Sequence, residues 1–183
     1  MNEKEKMLSG VLYDSTVEML ANERLKAKNL FCEYNLLKPD DFDKKKRVLN
    51  ILLGKTKNNY TIEPNFFCDY GYNIELGENF YSNHNLVILD CAKVTFGDNV
   101  FIGPNCGFYT AEHPIDPIER NNFLEYAKPI RVGNNVWIGG SVTVLSGVTI
   151  GDNVTIGAGS VVVKDIPSNT VAVGNPCRVI KNI

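Results

Sequence analysis

Histidine is scarce in this chain: there are two, His84 and His113. A catalytic zinc held by three histidines needs more than that, and no Cys-x-x-Cys pair supplies thiolates instead, so no metal is expected. The five cysteines (Cys32, Cys68, Cys91, Cys106, Cys177) are odd in number and scattered. That pattern points to reduced packing or surface residues and a cytoplasmic protein. No apolar run approaches the ~18 residues that read as a membrane span. The opening MNEKEKMLSG is charged and unlike a signal peptide, so no membrane association is expected. A strong excess of either charge is also missing. The net charge is −2 and no basic face stands out, which argues against a nucleic-acid partner.

What the chain does have is a period of six. From Val132 the sequence divides into VGNNVW, IGGSVT, VLSGVT, IGDNVT, IGAGSV and VVK. An aliphatic residue opens every unit: Val132, Ile138, Val144, Ile150, Ile156, Val162. Six matches neither the helical period of 3.6 nor the strand period of 2. It is the period of hexapeptide β-helix repeats, in which each unit covers one side of a triangular coil. The fold expected is therefore mainly β, a parallel β-helix of hexapeptide repeats.

Two parts are expected: a helical segment over 1–58 and the coil over 59–183. Gly10 stops a short charged first turn, and Ser15 with Glu18 matches a capping box for a helix that starts there. Leu20, Leu25, Leu30, Phe31 and Tyr34 give it an apolar face, with a break near Asn22. Pro39 and Asp40 start another, with Val48, Leu49 and Leu52 inward, and Gly54 ends it before a polar KTKNN joint. The six-residue register is clear from Leu76, resumes at Phe96, and is broken by 18 residues, 114–131. Loops of that length within a repeat are more often functional than accidental. This one leaves directly after His113.

Three sixes make one turn, so Leu76, Phe96, Val132 and Ile150 should stack. The residue before an inward opener faces outward. That predicts an outward stripe of Tyr81, Phe101, Trp137 and Thr155, an aromatic patch that needs a cover. Beside it run Asn83, Gly103, Gly139, Gly157 and then His84, Pro104, Gly140, Ala158. These columns become nearly free of side chains, so a ligand can lie against backbone N–H groups there. His113, held extended by Pro114 at the base of a lid, is the residue suited to base chemistry near neutral pH.

The segments YTAEHPIDP, KPIRVGNNVWIGG, GVTIGDNVTIGAGSVVVKDIP and GNPCRVIK closely resemble the maltose and galactoside O-acetyltransferase family. SGVLYDS and NERLKAK extend the likeness over essentially the whole chain, and DYGYNIELG and EYAKP are more similar to the maltose branch. The resemblance implies a left-handed coil, against the usual right-handed crossover rule. It also implies a homotrimer with sites between subunits, acetyl-CoA as donor, and a maltose- or glucose-like hydroxyl as acceptor. It makes His113 the general base and Asn83 the residue that positions the hydroxyl. The acceptor pocket would comprise Asp14, Ser15, Arg24, Asp69, Tyr81, Asn83, Cys91 and Glu125. Coenzyme positions fall on Trp137, Gly140, Ala158, Val163, Lys164, Arg178 and Lys181, with the Gly140 N–H as oxyanion donor. The galactoside branch has Asp where Cys91 stands and Ser where Asp69 stands, which speaks against a galactoside acceptor; it has Thr where Val163 stands, so this chain offers the coenzyme only backbone there. Cys106 is the thiol to check against direct transfer. Two other readings stay open: a coil protein that has lost its chemistry, and acyl transfer to the amine of an amino sugar.

Overall fold

The computed structural model describes residues 1–183. The chain starts with α1 (Glu3–Ser9), β1 (Tyr13–Asp14), α2 (Glu18–Leu36) and α3 (Phe42–Leu52). Asn2 and Glu5 form a reciprocal capping box on α1, and Gly10 closes it in the left-handed region at φ 77°. The capping box expected at Ser15 and Glu18 does not form. Val17 is the N-cap of α2 without a side-chain bond, and Ser15 Oγ instead donates to the Phe123 carbonyl. The break expected near Asn22 is absent, α2 being continuous. Leu25 of the expected apolar face points outward, while Leu20 and Tyr34 are buried. On α3, Val48, Leu49 and Leu52 face inward as their spacing requires.

The coil follows in turns of three strands. β2 (Lys55–Thr56), β3 (Tyr60–Ile62) and β4 (Phe66–Cys68) make the first. β5 (Ile74–Leu76), β6 (Phe80–Ser82) and β7 (Leu86–Leu89) make the second. The third is β8 (Val94–Phe96), β9 (Val100–Ile102) and β10 (Gly107–Tyr109). After it come β11 (Ala111–Glu112), α4 (Pro117–Asn121) and β12 (Leu124–Ala127). The fourth turn is β13 (Ile130–Val132), β14 (Val136–Ile138) and β15 (Thr143–Val144); the fifth is β16 (Thr149–Ile150), β17 (Val154–Ile156) and β18 (Val161–Val162). A short sixth runs from Ile166, bridged to Ile150, into β19 (Thr170–Val173), and β20 (Arg178–Asn182) folds back antiparallel on β19.

Each side of the coil is thus a parallel sheet built from every third strand. The first side holds β2, β5, β8, β13 and β16; the second β3, β6, β9, β14, β17 and β19; the third β4, β7, β10, β15 and β18. The expected register holds: Leu76 pairs with Phe96, Phe96 with Val132, and Val132 with Ile150. It also begins one turn before Leu76. Thr56, Ile62 and Cys68 stack on Leu76, Ser82 and Ile88. Openers fill the interior, where Phe80, Phe96 and Phe108 meet edge to face at 5.0 and 5.1 Å.

At the corner from the first side to the second, Asn79, Asn99, Asn135, Asn153 and Asn169 all take positive φ. Asparagine tolerates that conformation. Their amides also bond to one another up the coil at 2.9–3.1 Å. The helices cover the first turn. Asn35 of α2 satisfies both backbone groups of Phe66, donating to its carbonyl and accepting from its N–H at 2.9 Å each. Ala27, Tyr34, Val48, Leu49 and Leu52 join the same apolar core as the coil. No helix is long and apolar enough to cross a membrane.

The interruption after His113 is not the loose lid that its length suggests. β12 pairs antiparallel with β11 and, on its other edge, with β1. Its tip, with Ile115, Ile118 and Phe123, stands exposed.

Candidate active site

The third side of the coil separates two corners, and the expected site residues are divided between them. At the corner from the third side to the first, a cavity of about 280 Å³ is lined by Ser15, Arg24, Asp69, Leu89, Cys91, Ala111, His113 and Glu125. Six of the expected residues therefore meet in one place. Asp14 is not among them. Its carboxylate turns back to accept from the Thr16 N–H and hydroxyl. Val163 and Lys164 lie exposed at the same corner, on higher turns.

His113 is half exposed at the cavity mouth. Its Nδ1 is 3.4 Å from the Leu124 carbonyl, and its Nε2 is 4.0 Å from Glu125 Oε1. A proton on Nδ1 facing the carbonyl leaves the Nε2 lone pair for the cavity. Arg24 donates to the Tyr70 hydroxyl and the Ser15 carbonyl, each at 2.8 Å, and so ties α2 to the site. Burial pushes the Asp69 carboxyl above the ordinary carboxylate range, against the pull of Cys91 and Arg24. Burial likewise pushes the Cys91 thiol far up, with Asp69 adding to it. The Cys91 Sγ is 3.5 Å from Asp69 Oδ2. Cys106 lies elsewhere, buried in the core with its thiol on the Gly139 carbonyl and its pKa raised by burial. A thiol acts as a nucleophile only as thiolate, so neither cysteine suits a covalent step.

The other corner, from the second side to the third, carries Asn83, Gly140 and Ala158. The outward stripe beside it forms as expected: Tyr81 pairs with Phe101, Phe101 with Trp137, and Trp137 with Thr155. Trp137 is 60 % exposed and Phe101 49 %. The Gly140 and Ala158 N–H groups donate to no atom of the chain. Asn83 accepts through its side chain from the His84 N–H. Arg178 and Lys181 lie exposed on β20, at the far end of that side, with Lys181 opposite Val171. Within one chain His113 and the Trp137 and Gly140 column therefore lie at different corners of the coil. No group of three or more His, Cys, Asp or Glu is placed to hold a metal ion.

One residue beneath the cavity escaped the sequence reading. Asp90 is fully buried, and its carboxylate accepts from the N–H groups of Asp69, Tyr70 and Asn73 at 3.0, 2.8 and 3.3 Å. It thereby fixes the segment that carries Asp69. The signal was present: alternation along ILDC points Asp90 inward, where a charge is unusual. Burial raises its pKa to about 7, against those donors. From about pH 4 to 7 the folded chain then keeps a proton that the unfolded chain has released, so stability should fall as pH rises through that window. Asp90→Asn is expected to flatten this slope, with Asp69 supplying a remainder. Urea unfolding at pH 5 and pH 7.5 measures it, and an unchanged slope would mean that Asp90 stays ionised throughout.

The comparisons with known proteins agree with this architecture. The family model for bacterial transferase hexapeptide (six repeats) matches residues 129–164. The maltose acetyltransferase hexapeptide capping motif matches residues 6–57. A maltose O-acetyltransferase from Clostridium difficile 630 is 53 % identical with a TM-score of 0.98, over 100 % of this chain and 98 % of that one. A galactoside acetyltransferase in complex with coenzyme A is 44 % identical with a TM-score of 0.97, over 100 % of this chain and 92 % of its own. A hexapeptide-repeat acetyltransferase of Vibrio cholerae in complex with acetyl-CoA is 36 % identical with a TM-score of 0.92, over 100 % and 98 %.

Proposed function

We propose, on the premise that this chain belongs to the maltose and galactoside O-acetyltransferase family of hexapeptide-repeat acetyltransferases, that it moves an acetyl group from acetyl-CoA to a sugar hydroxyl with His113 as general base. The observation that carries this reading is the small polar cavity that His113 lines together with Asp69, Arg24 and Glu125. A cavity of about 280 Å³ with carboxylates and a guanidinium suits a ring bearing several hydroxyls.

The donor fits the other corner. The two unpaired N–H groups at Gly140 and Ala158, beside an exposed indole, are what an extended amide-bearing arm requires. Trp137, Gly140 and Ala158 of one subunit would hold that arm together with the Val163 backbone of the next, and Lys164, Arg178 and Lys181 would meet its phosphates. Bound there, the coenzyme supplies an activated acetyl thioester. His113 takes the proton of the acceptor hydroxyl as that oxygen attacks, and returns it to the departing sulfur. Asn83 orients the hydroxyl. The Gly140 N–H meets the charge that develops on the carbonyl oxygen, a contact typically worth about 3 kcal/mol.

Because the two corners are apart in one chain, the complete site needs a second copy. Tyr81, Asn83, Trp137 and Gly140 of one subunit would face the His113 cavity of the next, closing as a homotrimer. The exposed aromatic stripe supports this, since Phe101 and Trp137 gain burial only from a neighbour or a ligand.

The test is thiol release from acetyl-CoA with glucose, maltose, a thiogalactoside or glucosamine present. Release above the rate without sugar, with glucose or maltose leading, is expected. Release with glucosamine alone, and product mass on the amine, would replace the hydroxyl acceptor with an amine. No release with any of the four would refute these acceptors.

A further inference from the structure

The acetyl-transfer step leaves one buried polar group at the site without a task, the hydroxyl of Tyr13. Its side chain is 1 % exposed, and the hydroxyl donates to Glu125 Oε2 at 2.8 Å. β1 brings this about: its two residues pair with β12 as Tyr13 opposite Glu125 and Asp14 opposite Leu124. Both contacts to the His113 ring come from the same two residues of β12. The Leu124 carbonyl lies 3.4 Å from Nδ1, and Glu125 Oε1 lies 4.0 Å from Nε2.

We infer that Tyr13 is a positioning residue for His113, acting through the Glu125 carboxylate. The inference rests on His113 being the base. An imidazole that accepts a proton becomes a cation, and a carboxylate held nearby favours it. A free carboxylate would swing toward water. Tyr13 pins one oxygen, and the other then stays turned toward Nε2. The proton moves from the acceptor oxygen to Nε2 and on to the leaving sulfur. Tyr13 keeps its own throughout, burial having raised its pKa far above the phenol range.

The other charged and titratable groups facing Glu125 are Asp69 after β4, Cys91 after β7 and Arg24 on α2, which line the same cavity. Glu112 of β11 is turned away, accepting from the Tyr126 hydroxyl and standing 3.8 Å from the Lys128 ammonium. Glu125 is thus the carboxylate whose position Tyr13 sets. The N-terminal segment takes part in catalysis in this way, although it contributes no reacting group.

A double-mutant cycle on Tyr13→Phe and Glu125→Gln tests this. Thiol release is measured with the best of the four sugars, or with water as acceptor if none is used. A unit charge at 4 Å near a surface is worth enough that Glu125→Gln should lower kcat about 10-fold, with the sugar KM changed less than about threefold. Tyr13→Phe alone should cost about fivefold, yet less than about twofold on top of Glu125→Gln, because its effect runs through the missing carboxylate. Equal costs of Tyr13→Phe in both backgrounds would overturn the inference, since a packing role is additive. So would a Glu125→Gln variant that raises KM and spares kcat. Should Tyr13→Phe not fold, Glu125→Asp replaces it and should fall between wild type and Glu125→Gln; a rate no better than Glu125→Gln overturns the inference. His113→Ala run alongside separates the two levels. Its failure to slow transfer removes the base itself, whereas a slow His113→Ala with an additive cycle removes only the role of Tyr13.

Discussion

His113→Ala is expected to slow acetyl transfer at least ~10²-fold, within the 10²–10⁴ range usual for a lost general base. The reasons are geometric. The ring stands at the mouth of the acceptor cavity, and the Leu124 carbonyl occupies the side of Nδ1. Nε2 is left as the one nitrogen free to take a proton. The Cys91 thiol is pushed far up by burial and supplies no thiolate, and the buried Asp69 carboxyl lies within hydrogen-bond reach of that thiol and beside Arg24, so neither is placed as His113 is. The loss should fall on kcat, because the residues assigned to hold the coenzyme are Trp137, Gly140, Ala158 and the basic side chains, not the imidazole. Since the side chain is 55 % exposed, the variant should unfold at nearly the wild-type temperature. Steady-state thiol release with varied acetyl-CoA checks the kinetics, and a thermal melt checks the fold. A kcat within fivefold of wild type would sink the role given to His113.

Gly77→Ala is expected to cost about 3 kcal/mol or more, at the upper end of what overpacking does. The turns of the coil touch at this corner. A Cβ on Gly77 would lie 2.1 Å from the Gly97 carbonyl oxygen and 2.3 Å from its carbon. The obstacle is backbone, which cannot rotate aside. The column continues upward, a Cβ on Gly97 meeting Gly133 and one on Gly133 meeting Gly151. For a chain of this size the midpoint of thermal unfolding should drop by roughly 6–12 °C. Gly140 offers the contrast, since a Cβ there would meet Pro104 only at 3.3 Å. Gly140→Ala should therefore fold with little loss. Circular dichroism melts of both variants decide it; a Gly77→Ala midpoint within 2 °C of wild type would mean that the turns can part.

The part of the fold that could be read in the sequence is the part that repeats. The stacking of Leu76, Phe96, Val132 and Ile150, and the outward Tyr81, Phe101 and Trp137, follow from a six-residue period alone. The first turn escaped because its opener is Thr56, in a polar KTKNN run, although Thr56, Ile62 and Cys68 keep the spacing. Ser15 and Glu18 matched a cap by local pattern, but tertiary contact drew Ser15 to Phe123 instead. The acceptor cavity was legible only through family resemblance. What assembles it is a pairing between Tyr13 and Glu125, 112 residues apart, and nothing local announces such a contact. Asp90 belongs to the same class: its position was readable, its three backbone partners were not.

A stack of identical turns has no built-in length. Every turn of a parallel coil offers the next a row of unpaired amides, so an open end is a template for another copy of itself. This chain closes one end with α2, whose Asn35 occupies the Phe66 backbone groups, and the other with β20 doubled back on β19. The two plugs are what make the repeat a particle of fixed size instead of the start of a filament.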